Sequence, residues 1–250
     1  MDASMCSLDG KVALVTGGSR GIGRAIALSF ADAGADVVIS ARKQPDLEAA
    51  AEELKAKGGK VLAVSSHVAK LEESKNLVDR IKAELGRLDI LVNNAGTNVY
   101  LGPLIDAEEW AWDVVMNVNL KGPFLLSQLV ARMMREQGGG NIINIASVEG
   151  LRSGGLPIYG VSKAALIMLT QVMAREWGQF NIRVNVIAPG MVETKFSEPL
   201  WRDPAAHEAI AKRSALGRLG MPDDVAGIAL FLASDISSYV NGATIVADGG

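Results

Sequence analysis

Seven short apolar runs, none interrupted by a charge, alternate with longer segments of helical periodicity, and this alternation constrains the fold more than any other feature. The runs occupy residues 12–15, 37–39, 61–64, 90–92, 142–145, 184–187 and 244–246. A strand that is apolar along its whole length is buried on both faces, and helices then cover both sides of the sheet. The sequence therefore predicts an α/β protein with a doubly wound, seven-stranded parallel sheet and right-handed crossovers.

The chain has the length of one such domain. At 250 residues, without an internal repeat or a linker, residues 1–250 are expected to form a single domain around one sheet. The longest irregular segment runs from Gly190 to about Pro204, after the sixth run. A loop of this length commonly covers a binding site. We therefore expect a substrate lid at about residues 190–213.

Charge and cysteine content exclude several classes of protein. The net charge is −3 with both signs interspersed, which argues against a nucleic-acid or anionic-membrane partner. The longest apolar stretches, such as residues 228–233, fall far below the roughly 18 residues of a membrane helix, and residues 1–8 lack the pattern of an export signal. Cys6 is the only cysteine, and His67 and His207 are isolated, so no metal cluster is expected. These features predict a cytoplasmic protein that binds small molecules.

A glycine-rich turn directly follows the first run and precedes a predicted helix. Its pattern is Gly-x-x-x-Gly-x-Gly. The glycines permit a tight turn and let backbone amides approach a pyrophosphate, and the start of the helix adds unpaired N–H groups and a partial positive charge. In this context the turn predicts a dinucleotide site. The residues assigned to it are Gly17, Ser19, Arg20, Gly21, Ile22 and Gly23.

The end of the second run indicates which dinucleotide is bound. A carboxylate that would hold the ribose hydroxyls is missing, and Ser40-Ala41-Arg42-Lys43 stands there instead. Arg42 and Lys43, together with Arg20, offer cations for a 2′-phosphate. NADP(H) is therefore favoured over NAD(H). The alternative is that Arg42 and Lys43 form only the solvated start of a helix.

Tyr159 and Lys163 are four residues apart, a spacing that places a phenol and an ammonium on one face of a helix. A fixed cation favours the phenolate and brings proton exchange closer to neutral pH. Ser147 follows the fifth run, so its hydroxyl lies at the carboxyl end of a strand, where open α/β sheets bind ligands. The three residues predict an acid/base site, although the Tyr and Lys spacing alone also occurs by chance.

Taken together with Asn93-Asn94-Ala95-Gly96 after the fourth run, Asn119 and Pro189-Gly190, these motifs resemble the short-chain dehydrogenase/reductase family of the classical type over nearly the whole chain. The resemblance implies a Rossmann-like fold. It implies that Tyr159 is the general acid/base, that Lys163 lowers its pKa and bonds the nicotinamide ribose, and that Ser147 orients the substrate oxygen. Asn119 would complete a proton relay, and Asn117 is a weaker candidate.

The resemblance also extends the cofactor site. Asn94, Ala95 and Gly96 would border the adenine ribose, and the segment after the sixth run would contact the nicotinamide carboxamide through Pro189, Gly190, Val192 and Thr194. His67-Val68 stands where the family usually has an aspartate before a valine. Val68 would contact adenine through its backbone. His67 either stacks on or hydrogen-bonds the base, or is simply an exposed loop histidine.

The expected activity is transfer of a hydride between NADP(H) and a hydrophobic ketone, aldehyde or secondary alcohol, because the positions that would line the pocket are mostly apolar. They are Val99, Tyr100, residues 151–153, Pro157, Ile158, Met191, Phe196, Leu200 and Trp201, with Glu149, Arg152 and Glu193 as polar candidates. The alternative for the three polar residues is that they face solvent. The alternative for Phe196, Leu200 and Trp201 is that they pack on a neighbouring helix at an interface. Two alternatives are a 3-oxoacyl-thioester (acyl-carrier-protein) reductase and a non-catalytic NADP(H)-binding regulator.

The resemblance further implies a homotetramer. Its subunits would meet through the helices that contain residues 119–134 and 159–177, with the carboxyl-terminal strand at a second interface. Trp110 and Trp112 lie in a region that such proteins use for subunit contacts, and core packing is the alternative for both.

Overall fold

The seven predicted strands are all present in the computed structural model, which describes residues 6–250. Residues 1–5, part of the segment inspected for an export signal, lie outside the described residues. The strands are β1 (Val12–Thr16), β2 (Asp36–Ala41), β3 (Val61–Ser65), β4 (Ile90–Asn93), β5 (Gly140–Ile145), β6 (Ile182–Pro189) and β7 (Thr244–Ala247). All pairs are parallel, and the order across the sheet is β3-β2-β1-β4-β5-β6-β7.

Helices connect the strands and cover both faces of the sheet. They are α1 (Gly21–Asp32), α2 (Gln44–Lys55), α3 (Leu71–Leu85), α4 (Glu109–Met116), α5 (Gly122–Glu136), α6 (Pro157–Trp177), α7 (Glu198–Trp201), α8 (Pro204–Ala211) and α9 (Pro222–Ala233). A π-helical turn, Asn117–Lys121, joins α4 to α5. The predicted doubly wound parallel sheet is confirmed.

Alternate residues of each strand enter two separate cores. In β1, Ala13 and Val15 pack with α1, α2 and α9, whereas Val12 and Leu14 pack with α3, α5 and α6. Phe30 of α1 is fully buried in the first core. Since successive side chains of a strand point to opposite faces, a continuous apolar run is what burial on both faces requires.

The chain reverses its direction of winding at the centre of the sheet. After β1 it moves outward through β2 to the edge strand β3, and it then returns to place β4 on the other side of β1. The connections at the carboxyl ends of β1 and β4 therefore diverge and leave a crevice between them, which is where open α/β sheets bind ligands.

The segment after β6 is more ordered than predicted. The sequence suggested an irregular stretch from Gly190 to about Pro204, but the short helix α7 interrupts it and α8 begins at Pro204. Pro204 is suited to this position because proline is tolerated in the first turn of a helix, and Asp203 caps α8 by accepting a hydrogen bond from Ala206 N–H at 2.9 Å.

Two apolar features differ from the sequence expectations. The segment Pro157–Phe180, which includes α6, is long and apolar enough to cross a membrane. An 18-residue window of it has a mean hydropathy of 1.2, but half of that window is buried inside the fold, as in a core helix. Trp110 and Trp112 are 53% and 41% exposed, so core packing within one chain does not explain them.

Candidate active site

A cavity of about 750 Å³ opens at the carboxyl ends of the strands, in the crevice between β1 and β4. Nearly all predicted cofactor residues line it, and they come from loops that are far apart in the sequence. The predicted residues in its wall are Gly17, Ser19, Arg20, Gly21, Ile22, Arg42, Lys43, His67, Val68, Asn94, Ala95, Gly96, Ser147, Tyr159, Lys163, Pro189, Gly190, Val192 and Thr194.

The glycine turn is held against the loop after β4. Thr16 Oγ1 accepts hydrogen bonds from the backbone N–H groups of Asn94 and Ala95, at 3.0 and 3.1 Å, and the Asn94 side chain donates to Thr16 O at 2.8 Å. Gly17 has a φ of +65°, and a Cβ there would lie 2.8 Å from Asn94 Nδ2. Only glycine fits this position, because both its backbone conformation and the approach of Asn94 exclude a side chain.

The start of α1 faces this cavity as an anion site. No side chain caps the helix, and its first turn contains no acidic residue. Its amide groups and the partial positive charge of the helix are therefore available to a phosphate. Gly23 does not line the cavity but lies behind the turn, where a Cβ would overlap the carbonyl oxygen of Gly17. Gly23 thus permits the turn to pack on α1 and does not itself face the ligand.

Two buried hydroxyls at the ends of β2 and β3 support a polar ligand beside them. Ser40 Oγ and Ser66 Oγ belong to residues of the cavity wall that are 1% and 4% exposed, and neither atom has a hydrogen-bond partner among the described residues. A buried hydroxyl without a partner costs about 1–3 kcal/mol. The sugar and phosphate of a nucleotide offer the donors and acceptors that would satisfy these groups.

Next to these hydroxyls, Arg42 and Lys43 are exposed, and neither forms an ion pair within residues 6–250. Arg24, by contrast, pairs with Glu53. One acid, Asp46, also lines this end of the cavity. The end of β2 therefore presents two uncommitted cations, and the residues present fit a phosphorylated dinucleotide.

The predicted acid/base residues line the same cavity. Lys163, on the inner face of α6, is 3% exposed, and its Nζ donates to Ile145 O, the last carbonyl of β5, at 2.8 Å. Its Nζ lies 5.4 Å from the centre of the Tyr159 ring. Ser147 follows β5, and its Oγ accepts from Glu149 N–H at 3.2 Å, a bond that does not use the hydroxyl proton. The predicted grouping of Ser147, Tyr159 and Lys163 is therefore found.

Both ionisable groups of this cluster are strongly perturbed. Burial raises the pKa of Tyr159 to about 12; the hydrogen-bonding hydroxyl of Ser147 lowers this pKa, and the charge of Glu149 raises it. Burial lowers the pKa of Lys163 to about 8. The pKa of Tyr159 thus moves in the opposite direction from the prediction, because loss of solvation is the largest effect. Perturbed groups that face a cleft are typical of catalytic sites.

Asn119 lies behind these residues and not in the cavity wall. It is fully buried in the π-helical turn, where its Oδ1 accepts from Thr97 N–H at 2.8 Å and its Nδ2 donates to Thr97 O at 2.9 Å and to Ser162 Oγ at 3.1 Å. Every one of these contacts is to protein. The side chain of Asn119 therefore ties the loop after β4 to α6, and a π-helical turn is a frequent device at functional sites.

Polar contacts hold together the segment that was predicted to be a lid. Ser197 Oγ receives hydrogen bonds from Thr194 N–H at 3.3 Å and from Trp201 Nε1 at 2.9 Å. His207 Nε2 lies 2.9 Å from Glu193 Oε1, and its ring meets the indole of Trp201 edge-on at 6.1 Å. These contacts join α7 and α8 to the cavity segment that carries Glu193 and Thr194.

The predictions for the substrate end were right for some residues and wrong for others. The cavity wall contains six of the apolar or acidic candidates in the segments after β4, β5 and β6: Val99, Glu149, Met191, Glu193, Phe196 and Leu200. It does not contain Tyr100, residues 151–153, Pro157, Ile158 or Trp201.

Three of the misses have a physical reason. Ile158 turns away to pack with Ala111 and Val115. The Trp201 indole N–H bonds to Ser197, and Arg152 pairs with Asp248 at 3.3 Å on the surface.

Sequence reasoning missed several wall residues that have no motif. Ser40 and Ser66 end strands, so their place at the carboxyl edge was available as a signal. Val114, Val118 and Leu156 also line the wall, and only the packing of α4 and α6 brings them there.

The chain matches a family model described as enoyl-(acyl carrier protein) reductase over residues 17–250. It is 42% identical over 244 residues to dehydrogenase/reductase SDR family member 4 of Oryctolagus cuniculus, and the aligned region covers 97% of this chain and 94% of that protein. A gluconate 5-dehydrogenase from Burkholderia cenocepacia in complex with NADP and tartrate has a TM-score of 0.94 at 38% identity, covering 99% of this chain and 97% of the other. A 7α-hydroxysteroid dehydrogenase complexed with NADH and 7-oxo glycochenodeoxycholic acid has a TM-score of 0.96 at 36% identity, covering 100% and 97%.

Proposed function

This chain belongs to the short-chain dehydrogenase/reductase family, and on that premise we propose that it is an NADP(H)-dependent oxidoreductase that interconverts a hydrophobic ketone or aldehyde and the corresponding alcohol. The observation that carries the proposal is the cluster of Ser147, Tyr159 and Lys163 in the wall of a cavity whose other end is suited to a dinucleotide. A phenol and a buried ammonium in one cleft are hard to explain by stability alone.

The cofactor assignment rests on charge at the end of β2. The gluconate 5-dehydrogenase was solved with NADP and the steroid dehydrogenase with NADH, so relatedness by itself leaves the choice open. Arg42 and Lys43 are exposed beside the cavity and make no ion pair among the described residues, and no acid directly follows β2. A 2′-phosphate would neutralise these cations, and guanidinium groups bind phosphate strongly.

This choice has a direct test. Arg42→Ala is expected to weaken NADPH binding by tenfold or more and NADH binding by less than threefold, since a charge-assisted bond contributes about 1.5–3 kcal/mol. Arg175→Ala, on the exposed face of α6, is a matched control that should change neither dissociation constant. Equal losses of NADPH and NADH affinity would refute the assignment.

In the proposed reaction, NADPH held in this cavity would supply the hydride. The hydroxyl proton of Ser147 is available to hold the carbonyl oxygen, because the Ser147 oxygen already accepts from Glu149 N–H. Tyr159 then gives its proton to that oxygen as the alcohol forms. Lys163 uses one N–H to bond Ile145 O and has two more donors, which suit a ribose hydroxyl and the path that returns a proton to Tyr159.

The wall of the substrate end supports an apolar substrate. Val99, Leu156, Met191, Phe196 and Leu200 surround the space beside Tyr159, and the Phe196 ring lies 6.1 Å from that of Tyr159. Apolar walls exclude water from the reacting carbon and favour apolar ligands.

We expect NADPH-dependent turnover with a panel of aryl and alkyl ketones. Tyr159→Phe should lower kcat by at least 100-fold with little change in the NADPH dissociation constant. No turnover of any ketone, aldehyde or secondary alcohol, or equal activity of the two proteins, would refute the proposal.

Reduction of an acyl-carrier thioester is the second candidate. The matching family model is described by acyl-carrier-protein chemistry, which favours testing it. A 3-oxoacyl thioester and a simple ketone with the same acyl chain distinguish the two proposals. A kcat/KM at least tenfold higher for the carrier-bound thioester would select the second candidate.

We also propose a homotetramer. The outer faces of α5 and α6 expose apolar side chains, namely Phe124, Val161, Met168 and Val172. A second apolar surface near β7 includes Phe231, Tyr239 and Val246. Two separate apolar faces are suited to two interfaces, and sedimentation velocity would distinguish a tetramer from a monomer or a dimer.

A further inference from the structure

The place of the nucleotide base follows from the order of the strands. This step rests on the proposed function: the glycine turn after β1 holds the pyrophosphate, and Arg42 and Lys43 after β2 hold the phosphate on the adenosine ribose. The base is attached to that same ribose, and the strand beyond β2 is the edge strand β3. The cavity continues to the end of β3, where Ser66, His67 and Val68 form its wall. The base therefore lies against His67.

Two hydrogen bonds fix the His67 residue at this wall. Its Nδ1 accepts from Ala69 N–H at 3.2 Å, and its own backbone N–H donates to Glu73 Oε2 at 2.6 Å. Glu73 is in turn held by Lys70, whose Nζ lies 2.8 Å from Glu73 Oε1. Bonding to Lys70 and to His67 N–H lowers the pKa of Glu73, so its carboxylate remains an acceptor.

The bond to Nδ1 decides what the ring can offer a ligand. In a neutral imidazole, one nitrogen accepts and the other carries the proton. Because Nδ1 accepts from Ala69 N–H, the proton is on Nε2, which has no hydrogen-bond partner among the described residues. His67 therefore presents a donor, whereas a carboxylate at the same position would present only acceptors.

Donor and acceptor select different bases. The exocyclic 6-amino group of adenine is a donor that a carboxylate would accept. At the same position hypoxanthine has a 6-oxo acceptor, which a carboxylate would repel, and its N1–H donor lies at the neighbouring ring position. An imidazole N–H bonds to a ring nitrogen of adenine or to the 6-oxo group of hypoxanthine. We propose that His67 is a base-specificity residue that donates from Nε2, and that the site consequently binds a 6-oxopurine dinucleotide about as well as the adenine dinucleotide.

The test compares NADPH with reduced nicotinamide hypoxanthine dinucleotide phosphate, which differs only at the base. Dissociation constants are measured by calorimetric titration of the full-length protein. The two constants should agree within about threefold in the parent protein, because His67 has a partner on either base. His67→Asp should prefer NADPH by tenfold or more, since the new carboxylate pairs with the amino group and faces the 6-oxo group.

Two further measurements test the donor role and the protonated nitrogen of His67 separately. His67→Ala, which offers neither donor nor acceptor, should weaken both dinucleotides and keep their ratio near one. The chain has only two histidines, so imidazole ¹⁵N spectra of the parent and of His67→Asp assign the His67 ring directly. The expected state of the cofactor-free protein is an unprotonated Nδ1.

A protonated Nδ1 with an unprotonated Nε2, a parent preference for NADPH above tenfold, or an unchanged ratio in His67→Asp would each overturn the inference. Failure of the parent to bind either dinucleotide would overturn the cofactor assignment, and with it the role of His67. Tight and selective binding of NADPH would refute the role of His67 alone.

Discussion

Replacement of Lys163 by methionine should stabilise the cofactor-free protein while it abolishes catalysis. Methionine keeps the length and apolar stem of the side chain and removes the ammonium. The pKa of Lys163 falls from 10.5 to about 8 because the group is buried. By linkage, this difference corresponds to about 3 kcal/mol of cost at neutral pH for keeping the ammonium charged inside the fold.

One favourable contact is lost in the same change. The bond from Lys163 Nζ to Ile145 O contributes about 1–1.5 kcal/mol. The net expectation at pH 7 is a gain of roughly 2 kcal/mol in the free energy of unfolding. For a protein of this size, that gain corresponds to a rise of about 4–8 °C in Tm.

The pH dependence of the stability difference shows whether the charge of Lys163 causes it. Between about pH 8 and pH 10.5 the folded protein binds fewer protons at Lys163 than the unfolded protein does, so the stability of the parent rises with pH in this window. The variant cannot gain in this way. The two stabilities should therefore converge above pH 8 and cross between about pH 9 and pH 10.

Urea denaturation at a series of pH values measures this difference, and coincident fluorescence and circular dichroism transitions check that unfolding is two-state. Lys121→Met is the matched control, because Lys121 is exposed. Its difference from the parent should be small and independent of pH. The prediction would be refuted if Lys163→Met were less stable than the parent at pH 7, or if the stability difference between the two did not change with pH. Either result would show that burial of the Lys163 ammonium does not destabilise the fold.

Three other predictions follow from the same contacts. Burial raises the pKa of Tyr159 to about 12, so the rate of ketone reduction should vary little between pH 6 and pH 9. The rate of alcohol oxidation should instead rise by up to about tenfold per pH unit, because it requires the phenolate. An oxidation rate that does not change over this range would contradict the role of Tyr159. Gly23→Ala should lower the free energy of unfolding by about 1–3 kcal/mol and weaken NADPH binding, because the new Cβ would overlap Gly17 O. Gly227→Ala in α9 should be neutral or stabilising, because no atom lies within 4 Å of a Cβ at that position. Similar losses of stability in both variants would refute the packing argument. His207→Ala removes the 2.9 Å contact with Glu193, so limited proteolysis within residues 190–213 should become faster at unchanged global stability, and cleavage at the parent rate would show that the contact does not hold the lid.

The sheet was predictable because its signal is local and repeated. The central strands are buried on both faces, which requires a continuous apolar run, and the edge strands β3 and β7 keep such a run although they are partly exposed. The grouping of Ser147, Tyr159 and Lys163 was predictable for a related reason: Tyr159 and Lys163 are one helical turn apart on α6, and Ser147 follows a strand whose carboxyl end faces the cavity.

The substrate wall was not predictable to the same degree, because contacts between loops decide it. Leu156 lines the cavity although Pro157 and Ile158 do not, since α6 begins at Pro157 and turns Ile158 inward. Trp201 faces Ser197 because a partly buried indole N–H needs an acceptor. A shift of one residue at the start of a helix, or one polar contact within the lid, changes which side chain meets the substrate.

The same comparison explains why the direction of the Tyr159 pKa was wrong. The sequence places a cation near the phenol, and attraction between them is a pairwise effect that spacing alone suggests. Burial acts on each group separately, and it depends on how α6, β5 and the lid close around the pair. In this structure burial moves the pKa of Tyr159 up and that of Lys163 down, so both groups are displaced toward their neutral forms.

A bound cofactor would change that balance more than any further packing within the chain. Its ribose hydroxyls would solvate the ammonium of Lys163 and favour the charged form, and the cation would then act on the phenol of Tyr159 with less opposition. The orphan hydroxyls Ser40 Oγ and Ser66 Oγ face the same requirement at the other end of the cavity. The chain thus leaves polar groups without hydrogen-bond partners along one edge of its sheet. A bound dinucleotide would provide those partners and would at the same time favour the charged form of Lys163 beside Tyr159.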